Sequence, residues 1–174
     1  VMANIELIRE NSNIEFIWQT GKLYFEEMEK RVAKANKPKN LIVTDFVSNM
    51  ADALSAANLV VSRAGAGSIS EFALLGKAVI LVPSPNVSED HQTKNAMALV
   101  KKNAAIYIAD SEASNKLVRT AINTVNDETK IASLEKNIEK MGKPNAAEDI
   151  AGEVLMLADA YIEKETRRRK ENLR

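Results

Sequence analysis

The chain has 174 residues, is 45% hydrophobic, and carries 24 basic and 24 acidic side chains. It can therefore bury one core, and it has no net charge that would attract nucleic acid. With no cysteine and one histidine, disulfides and thiol chemistry are excluded and a zinc site has little material. No apolar run approaches the ~20 residues that span a bilayer and no signal-peptide pattern opens the chain, so a cytoplasmic protein is predicted.

The chain opens on a helix-like pattern, with Ile5 and Ile8 three residues apart. Because this pattern begins almost at Val1, we expect the sequence to be a piece of a longer protein. Short apolar segments then alternate with longer amphipathic ones, as expected when helices cross over between parallel strands. The predicted class is therefore α/β.

Short segments rich in β-branched and aromatic residues predict five buried strands. They are Ile14–Gln19, Leu41–Asp45, Leu59–Ser62, Ala78–Val82 and Ala105–Ile108. Phe16 and Trp18 lie in the first strand, where we expect both to enter the core. Helices are predicted at about 22–36, 48–57, 68–76, 89–102, 113–126, 129–141 and 145–166. Together these elements predict a parallel sheet flanked by helices.

The last predicted helix has one apolar face. Ile150, Val154, Leu157 and Tyr161 recur at spacings of four, three and four residues. We expect this face to pack against another surface.

This last helix also divides the predicted organisation of the chain. We expect an α/β domain at 1–144 and a helix with its tail at 145–174. A basic cluster, residues 167–170, follows the predicted helix. The cluster is either a solvated helix end or a contact with a membrane or a partner.

The most informative segment is a glycine-interrupted turn that joins the third strand directly to a helix. Gly65 and Gly67 remove side chains where a ligand would touch the backbone. The first N–H groups of a helix lack intrahelical partners and carry the positive end of its dipole. The segment therefore predicts a site for a phosphate or another anion.

Some residues of this turn have alternative explanations. Ser68 and Glu71 fit a capping box, which would account for both residues without a ligand. Arg63, at the carboxyl end of the strand, either pairs with a phosphate or fixes the loop. Ser70 stands where the third glycine of G-x-G-x-x-G belongs, and no G-K-[ST] follows, so the common dinucleotide and P-loop families are disfavoured.

A second polar segment leaves the fourth strand and enters a helix, at the sheet edge where the glycine turn lies. Ser88 can cap this helix, which places His91, Gln92 and Asn95 in its first two turns. The imidazole and the two amides suit sugar hydroxyls, although a solvated first turn would have the same composition. The sequence pattern does not identify a residue that would orient His91 as a general base, so no catalytic role is assigned to it.

The third candidate segment is Thr44-Asp45-Phe46-Val47, after the second strand. Phe46 either stacks on a base or enters the core, which is the commoner position of a phenylalanine. The backbone of Val47 offers an N–H and a carbonyl to a ring edge. Asp45 can cap the next helix.

Four motifs together carry a resemblance to one family. They are I-W-Q-T-G-K at 17–22, T-D-F-V at 44–47, S-R-A-G-A-G-S-I-S-E at 62–71 and E-D-H-Q-T-K-N-A at 89–96. Over essentially its whole length, the chain closely resembles the carboxyl-terminal, donor-binding domain of peptidoglycan glycosyltransferases. These enzymes transfer N-acetylglucosamine from UDP-N-acetylglucosamine to lipid I and so form lipid II.

The resemblance implies a GT-B architecture, in which two Rossmann-like domains face each other and the second domain holds the nucleotide sugar. It implies that Phe46 and Val47 bound the uracil, with Val47 supplying backbone hydrogen bonds. Glu71 would bind the ribose hydroxyls. Arg63 would brace the loop or approach the phosphate.

The resemblance also implies the residues that hold the rest of the donor. Ala66, Gly67 and Ser68 would present the diphosphate with the helix start, while Gln92 and Asn95 would face the N-acetylglucosamine. The implied donor-binding set is Phe46, Val47, Arg63, Gly65, Ala66, Gly67, Ser68, Glu71, His91, Gln92 and Asn95. His91 departs from the family pattern, because some relatives have a second glutamine at its place.

The family reaction inverts the anomeric centre without an essential metal, and the resemblance implies no cofactor. The helix dipole would stabilise the UDP leaving group instead. The first domain with its acceptor site and presumed general base, the G-G-S loop and the first central strand are all missing from this sequence. We therefore expect a gap or exposed edges in the sheet, weak donor binding, and no transfer by the chain alone.

The implied substrates are UDP-N-acetylglucosamine and, through the missing domain, lipid I. The resemblance implies no nucleic-acid partner, and it implies a peripheral position at the cytoplasmic face of the inner membrane. Three alternatives stay open. They are another GT-B enzyme that uses a UDP-sugar, such as an epimerase or a glycolipid glycosyltransferase, a non-catalytic module that binds nucleotide sugars, and a dinucleotide-dependent oxidoreductase, which Ser70 disfavours.

Overall fold

The computed structural model describes residues 1–85 and 90–171. In this part of the chain the strands are β1 Phe16–Gln19, β2 Leu41–Thr44, β3 Val60–Ser62, β4 Val79–Leu81 and β5 Ile106–Tyr107. The helices are α1 Ile5–Glu10, α2 Lys22–Lys34, α3 Met50–Ala56, α4 Ala66–Leu74, α5 His91–Val100, α6 Asp110–Val125, α7 Glu128–Glu139 and α8 Ala146–Glu171. All five predicted strands and the α/β class are confirmed.

The strands form two parallel sheets. β1 pairs with β2, with Phe16 opposite Leu41 and Gln19 opposite Thr44. The second sheet has the order β3-β4-β5. Within the described residues β1 and β3 share no ladder, so the sheet is interrupted between them, as the resemblance implies.

β4 is buried on both faces because its alternate side chains enter two different cores. Val79 and Leu81 pack with Phe72 of α4 and Leu99 of α5. Ile80 packs on the opposite face, in a smaller cluster against α6. A strand buried on both sides needs a continuous apolar sequence, which is what made β4 recognisable.

Helix α6 connects the two sheets because its own side chains pack into the apolar clusters beside both of them. Its residues Val118 and Ile122 pack with Ile8 and Leu41 around β1 and β2. The neighbouring Leu117 packs into the cluster beside β4. Phe16 and Trp18 are half-buried against the first of these clusters, as expected.

Some helix boundaries differ from the sequence predictions. Helix α4 begins two residues earlier than predicted and α6 three residues earlier. Helix α8 runs to Glu171, so the basic residues expected to follow it lie within it. The predicted cap Ser88 lies outside the described residues.

The chain divides into two compact units, of which the first is Val1–Gly142 and the second begins at Lys143. The second unit holds α8, and the apolar side chains of that helix between Ile150 and Tyr161 are 59% to 69% exposed. Within the second unit, the face expected to pack is therefore exposed. No helix among the described residues has the length and hydropathy needed to cross a membrane.

Candidate functional site

The glycine turn ends in an open helix start. Gly65 is the N-cap of α4, with an extended backbone (φ −68°, ψ 140°), and its carbonyl accepts the Ile69 N–H at 3.0 Å. The N–H groups of Ala66, Gly67 and Ser68 precede that bond, so they have no acceptor within the helix. A Cβ added at Gly67 would meet no atom within 4 Å. The turn therefore presents backbone donors and the positive end of a helix dipole to open space.

Of the two explanations for Ser68 and Glu71, the capping box is wrong. Ser68 is the third residue of α4 and Glu71 lies in its second turn, so neither closes the helix start. Gly65 is the N-cap residue, and no side-chain hydrogen bond caps the helix there. Because the capping interaction is absent, it does not account for either residue.

A cavity of about 520 Å³ lies between α3 and α4. Gly67 and Glu71 line it together with Ala51 and Ser55 of α3. Lys77 fixes α3 in this position, because its ammonium donates to the carbonyls of Ser55 and Ala57, at 3.1 and 3.0 Å, at the carboxyl end of that helix. The Glu71 carboxylate thus borders a space large enough for a ribose, beside the open helix start.

Arg63 braces the ends of two strands. Its guanidinium donates to the carbonyls of Val82 and Pro83 at 3.1 and 3.3 Å, and pairs with the Asp110 carboxylate at 2.5 Å. The side chains of Arg63 and Asp110 are 53% and 37% exposed, so solvent screens their attraction. Of the two predicted roles, the structure has Arg63 in the bracing one.

Two amides from α5 bind the turn. The Gln92 Oε1 atom accepts the Ala64 N–H at 3.3 Å and the Ser84 N–H at 2.9 Å. The Asn95 Nδ2 atom donates to the Ala64 carbonyl at 3.1 Å. His91 is exposed at the first position of α5. The second polar segment and the glycine turn are therefore in direct contact.

The third segment lies beyond the end of β2. Phe46 is 60% exposed, so of the two alternatives for this residue the position in the core is wrong. The Val47 N–H donates to the side-chain oxygen of Gln19 at 2.9 Å. The expectation that Asp45 caps the next helix is also wrong, because Asn49 accepts the Asp52 N–H at the start of α3. An exposed aromatic ring at a strand end is available for stacking.

The structure brings some predicted residues together and separates others. Gly67 and Glu71 share the cavity, and Gln92 and Asn95 meet at Ala64. Phe46 and Val47 follow a strand of the other sheet, although α3 extends from their segment to the cavity.

Sequence reasoning missed two residues at this site. Gln19 engages the Val47 N–H and Asp110 engages Arg63, from 28 and 47 residues away. Their positions at a strand end and at the first position of a helix were the available signals. Among the described residues no group of three His, Cys, Asp or Glu side chains is placed to hold a metal ion.

The family model described as the glycosyltransferase family 28 C-terminal domain matches residues 1–150. Curated relatives are similar over most of the chain. An enzyme of Bacteroides thetaiotaomicron called UDP-N-acetylglucosamine–N-acetylmuramyl-(pentapeptide) pyrophosphoryl-undecaprenol N-acetylglucosamine transferase is 57% identical over 91% of the chain. The enzyme of the same name in Flavobacterium psychrophilum is 41% identical over 86%. The chain spans 42% and 40% of these two relatives.

Solved structures are similar in fold. The chain superposes on the crystal structure of Acinetobacter baumannii MurG with a TM-score of 0.72 and 27% identity, over 89% of this chain and 48% of that one. The glycosyltransferase VinC, solved in complex with dTDP, matches with a TM-score of 0.63 over 80% of this chain and 32% of that one. At 15% identity, that second match concerns the fold alone.

Proposed function

Because the chain belongs to the glycosyltransferase family 28 C-terminal domain family, we propose that it is the donor-binding domain of an inverting glycosyltransferase. The reaction is transfer of N-acetylglucosamine from UDP-N-acetylglucosamine to lipid I, which forms lipid II. The names of the curated relatives support this donor and this acceptor.

One observation carries the proposal, the open start of α4 at the carboxyl end of β3. Ala66, Gly67 and Ser68 offer three backbone N–H groups in the first turn of α4, and Glu71 lies one turn further along the same helix. A diphosphate needs several donors close together, and a ribose needs an acceptor for its hydroxyls. Helix α4 thus offers donors for the diphosphate and then an acceptor for the ribose. The two groups follow each other in the same order in a nucleoside diphosphate.

The remaining residues complete the donor site. The exposed ring of Phe46 would stack on the uracil, beside the Val47 backbone. The Val47 N–H already binds Gln19, so the Val47 carbonyl is the group most readily offered to the base. Asn95 and Gln92, with His91 before them, would meet the sugar.

The chemistry that this domain supplies is leaving-group stabilisation. As the glycosidic bond to the diphosphate breaks, negative charge develops on the phosphate oxygens. Fixed N–H groups and a helix dipole aimed at that charge stabilise it without reorganising in the reaction.

Acceptor binding and the general base lie outside this domain in our proposal. The undecaprenol part of the acceptor named by the relatives is a membrane lipid, whereas a nucleotide sugar is water-soluble. The complete enzyme would therefore work at the cytoplasmic face of the inner membrane. We expect this chain by itself to bind donor weakly and to transfer no sugar to lipid I.

The test is a titration of the chain with UDP, UDP-N-acetylglucosamine, UDP-glucose and NAD, followed by calorimetry and by amide NMR. We expect both UDP and UDP-N-acetylglucosamine to bind and to shift the amide signals of Ala66, Gly67 and Ser68. UDP-glucose should bind less tightly than UDP-N-acetylglucosamine, and NAD should not compete. Preferential binding of NAD would overturn the proposal.

A proline at the first position of α4 distinguishes an effect on donor binding from an effect on folding. Ala66→Pro deletes one backbone N–H, and the ψ of 140° at Gly65 already suits a following proline. We expect UDP affinity to fall by about five- to tenfold with one charge-assisted hydrogen bond removed, while the far-UV circular dichroism stays unchanged. Glu128→Pro, at the first position of α7, is the matched control and should leave UDP binding unaffected.

A further inference from the structure

The orientation of the Gln92 amide is fixed by its partners. Its side-chain oxygen accepts two backbone N–H groups, from Ala64 at 3.3 Å and from Ser84 at 2.9 Å. Because both partners are donors, the atom that faces them must be the oxygen and not the nitrogen. The NH₂ group is therefore directed away from both backbone segments.

Asn95 binds the same backbone residue from one turn further along α5. Its NH₂ group donates to the Ala64 carbonyl at 3.1 Å, and Ala64 itself is fully buried. The two amides thus satisfy both backbone polar groups of one buried residue. We call Gln92, Asn95 and their partners Ala64 and Ser84 the amide clamp.

The amide clamp acts on the residue that decides where α4 begins. Ala64 immediately precedes the N-cap Gly65, and Ala66 is the first residue of the helix. Ser84 lies after β4, in the segment that leads to α5. One side-chain oxygen therefore connects the glycine turn with the segment that follows the neighbouring strand.

We propose that Gln92 is a positioning residue for the diphosphate site, because its oxygen holds the turn of Ala64 and the segment of Ser84 in one arrangement. This inference rests on the proposed function of the turn in binding a UDP-sugar. A turn fixed before the ligand arrives loses less conformational entropy on binding, so the amide clamp raises affinity for the diphosphate itself. The sugar need not be present for this effect.

A positioning role for Gln92 and a role in sugar contact alone have different effects on UDP binding. A side chain that touches only the hexose affects UDP-N-acetylglucosamine and leaves UDP binding unchanged. A positioning residue affects UDP as well. Binding of UDP, which has no sugar, is therefore the decisive measurement.

The experiment compares Gln92→Met with the wild-type chain and with Lys94→Met, an exposed control on the same helix. Methionine has a similar length and no strong acceptor. We expect Gln92→Met to weaken UDP binding by about tenfold, the effect of one or two backbone hydrogen bonds on a preorganised site. Hydrogen exchange at the Ala64 and Ser84 amides should accelerate in this variant. Lys94→Met should match the wild type in both measurements.

Gln92→Glu keeps the oxygen and tests the proposal even if Gln92→Met does not fold. A carboxylate can still accept both N–H groups but loses the NH₂ group and adds a charge beside the diphosphate. At high salt, which screens that charge, we expect UDP affinity to stay within about threefold of the wild type and amide exchange to stay slow. A loss of UDP affinity that salt does not restore would overturn the proposal.

The outcomes separate this inference from the proposed function. If the wild-type chain binds no UDP, the proposed function fails. If it binds UDP and Gln92→Met binds UDP equally well, the positioning role fails and a sugar contact alone remains.

Discussion

The glycines of this chain serve different purposes, which their backbone angles distinguish. Gly21 and Gly76 have φ values of 77° and 61°, a region that glycine enters at less cost than residues with a Cβ. Gly65 has φ −68°, which any residue adopts, and a Cβ there would come no closer than 3.9 Å to the Ser68 hydroxyl. The fold therefore does not require glycine at Gly65, whereas close approach of a ligand to the backbone would.

We therefore expect Gly65→Ala to have little effect on the stability of the fold and a larger effect on UDP binding. We expect the free energy of unfolding to change by less than about 1 kcal/mol, because alanine is a poorer N-cap than glycine but also lowers the conformational entropy of the unfolded chain, and the two effects oppose each other. We expect UDP affinity to fall several-fold, because the methyl group occupies space at the helix start. Chemical denaturation and NMR titration measure the two effects.

Gly152→Ala is the control for this experiment. A Cβ at Gly152, inside α8, meets no atom within 4 Å, so alanine fits there as well. It should leave UDP binding unchanged. Unaltered UDP binding in Gly65→Ala would mean that the ligand does not approach this residue.

At the scale of elements, a buried amide ties α1 to the first sheet. Asn40 precedes β2, is 6% exposed, and donates through Nδ2 to the carbonyls of Ile8, Asn11 and Ile14 at 3.0, 3.0 and 2.8 Å. These carbonyls lie at the end of α1 and in the connection to β1. A six-residue helix is not stable alone, so α1 depends on such tertiary contacts.

Asn40→Leu should destabilise the fold although it adds apolar volume. Leucine removes the Asn40 donor from all three carbonyls, although those of Ile8 and Asn11 keep the backbone N–H groups of Asn11 and Ile14. We expect the free energy of unfolding to fall by about 1–3 kcal/mol. Urea denaturation measures the change. Asn13→Leu, the same substitution at an exposed position in the connection between α1 and β1, is the control and should change stability by less than about 0.5 kcal/mol. Equal effects of the two substitutions would contradict the assigned role.

At the scale of the whole molecule, two parallel sheets are held together by α6 packing and not by strand pairing. β1 and β3 each pair on one side only within the described residues, so each has an edge with unpaired backbone groups. Ile17 of β1 is 55% exposed, and its register partner Ile42 is exposed as well. Unpaired edges with apolar side chains favour pairing with another chain.

We therefore expect the isolated chain to self-associate reversibly, and Ile17→Lys to reduce this association. A charge on an edge strand opposes pairing with a second strand. Sedimentation velocity over a concentration series measures the effect. Leu23→Lys is the control, because Leu23 is 84% exposed but lies on α2. If both substitutions reduce association equally, general apolar surface is responsible and not the strand edge.

The strands were predictable because a buried parallel strand needs a local run of β-branched residues, and such runs are visible in β2, β3 and β4. The start of α4 was not predictable in the same way. Ser68 is intrinsically a good cap, as Gly65 also is, and local preference did not decide between them. The hydrogen bonds of Gln92 and Asn95 to Ala64 fix the residue before Gly65. The helix start therefore coincides with contacts across the fold that the local sequence does not reveal.

The sequence by itself determined the alternation of strands and helices, the glycine turn that follows β3, and the polar residues that begin α5, because each depends on residues close together in the chain. Only the tertiary structure decided which partners those residues take. Arg63 binds Asp110, Val47 binds Gln19, and both amides of α5 bind the turn. Such pairs are distant in sequence, and a side chain near a strand end has several possible partners until packing brings one within hydrogen-bond distance.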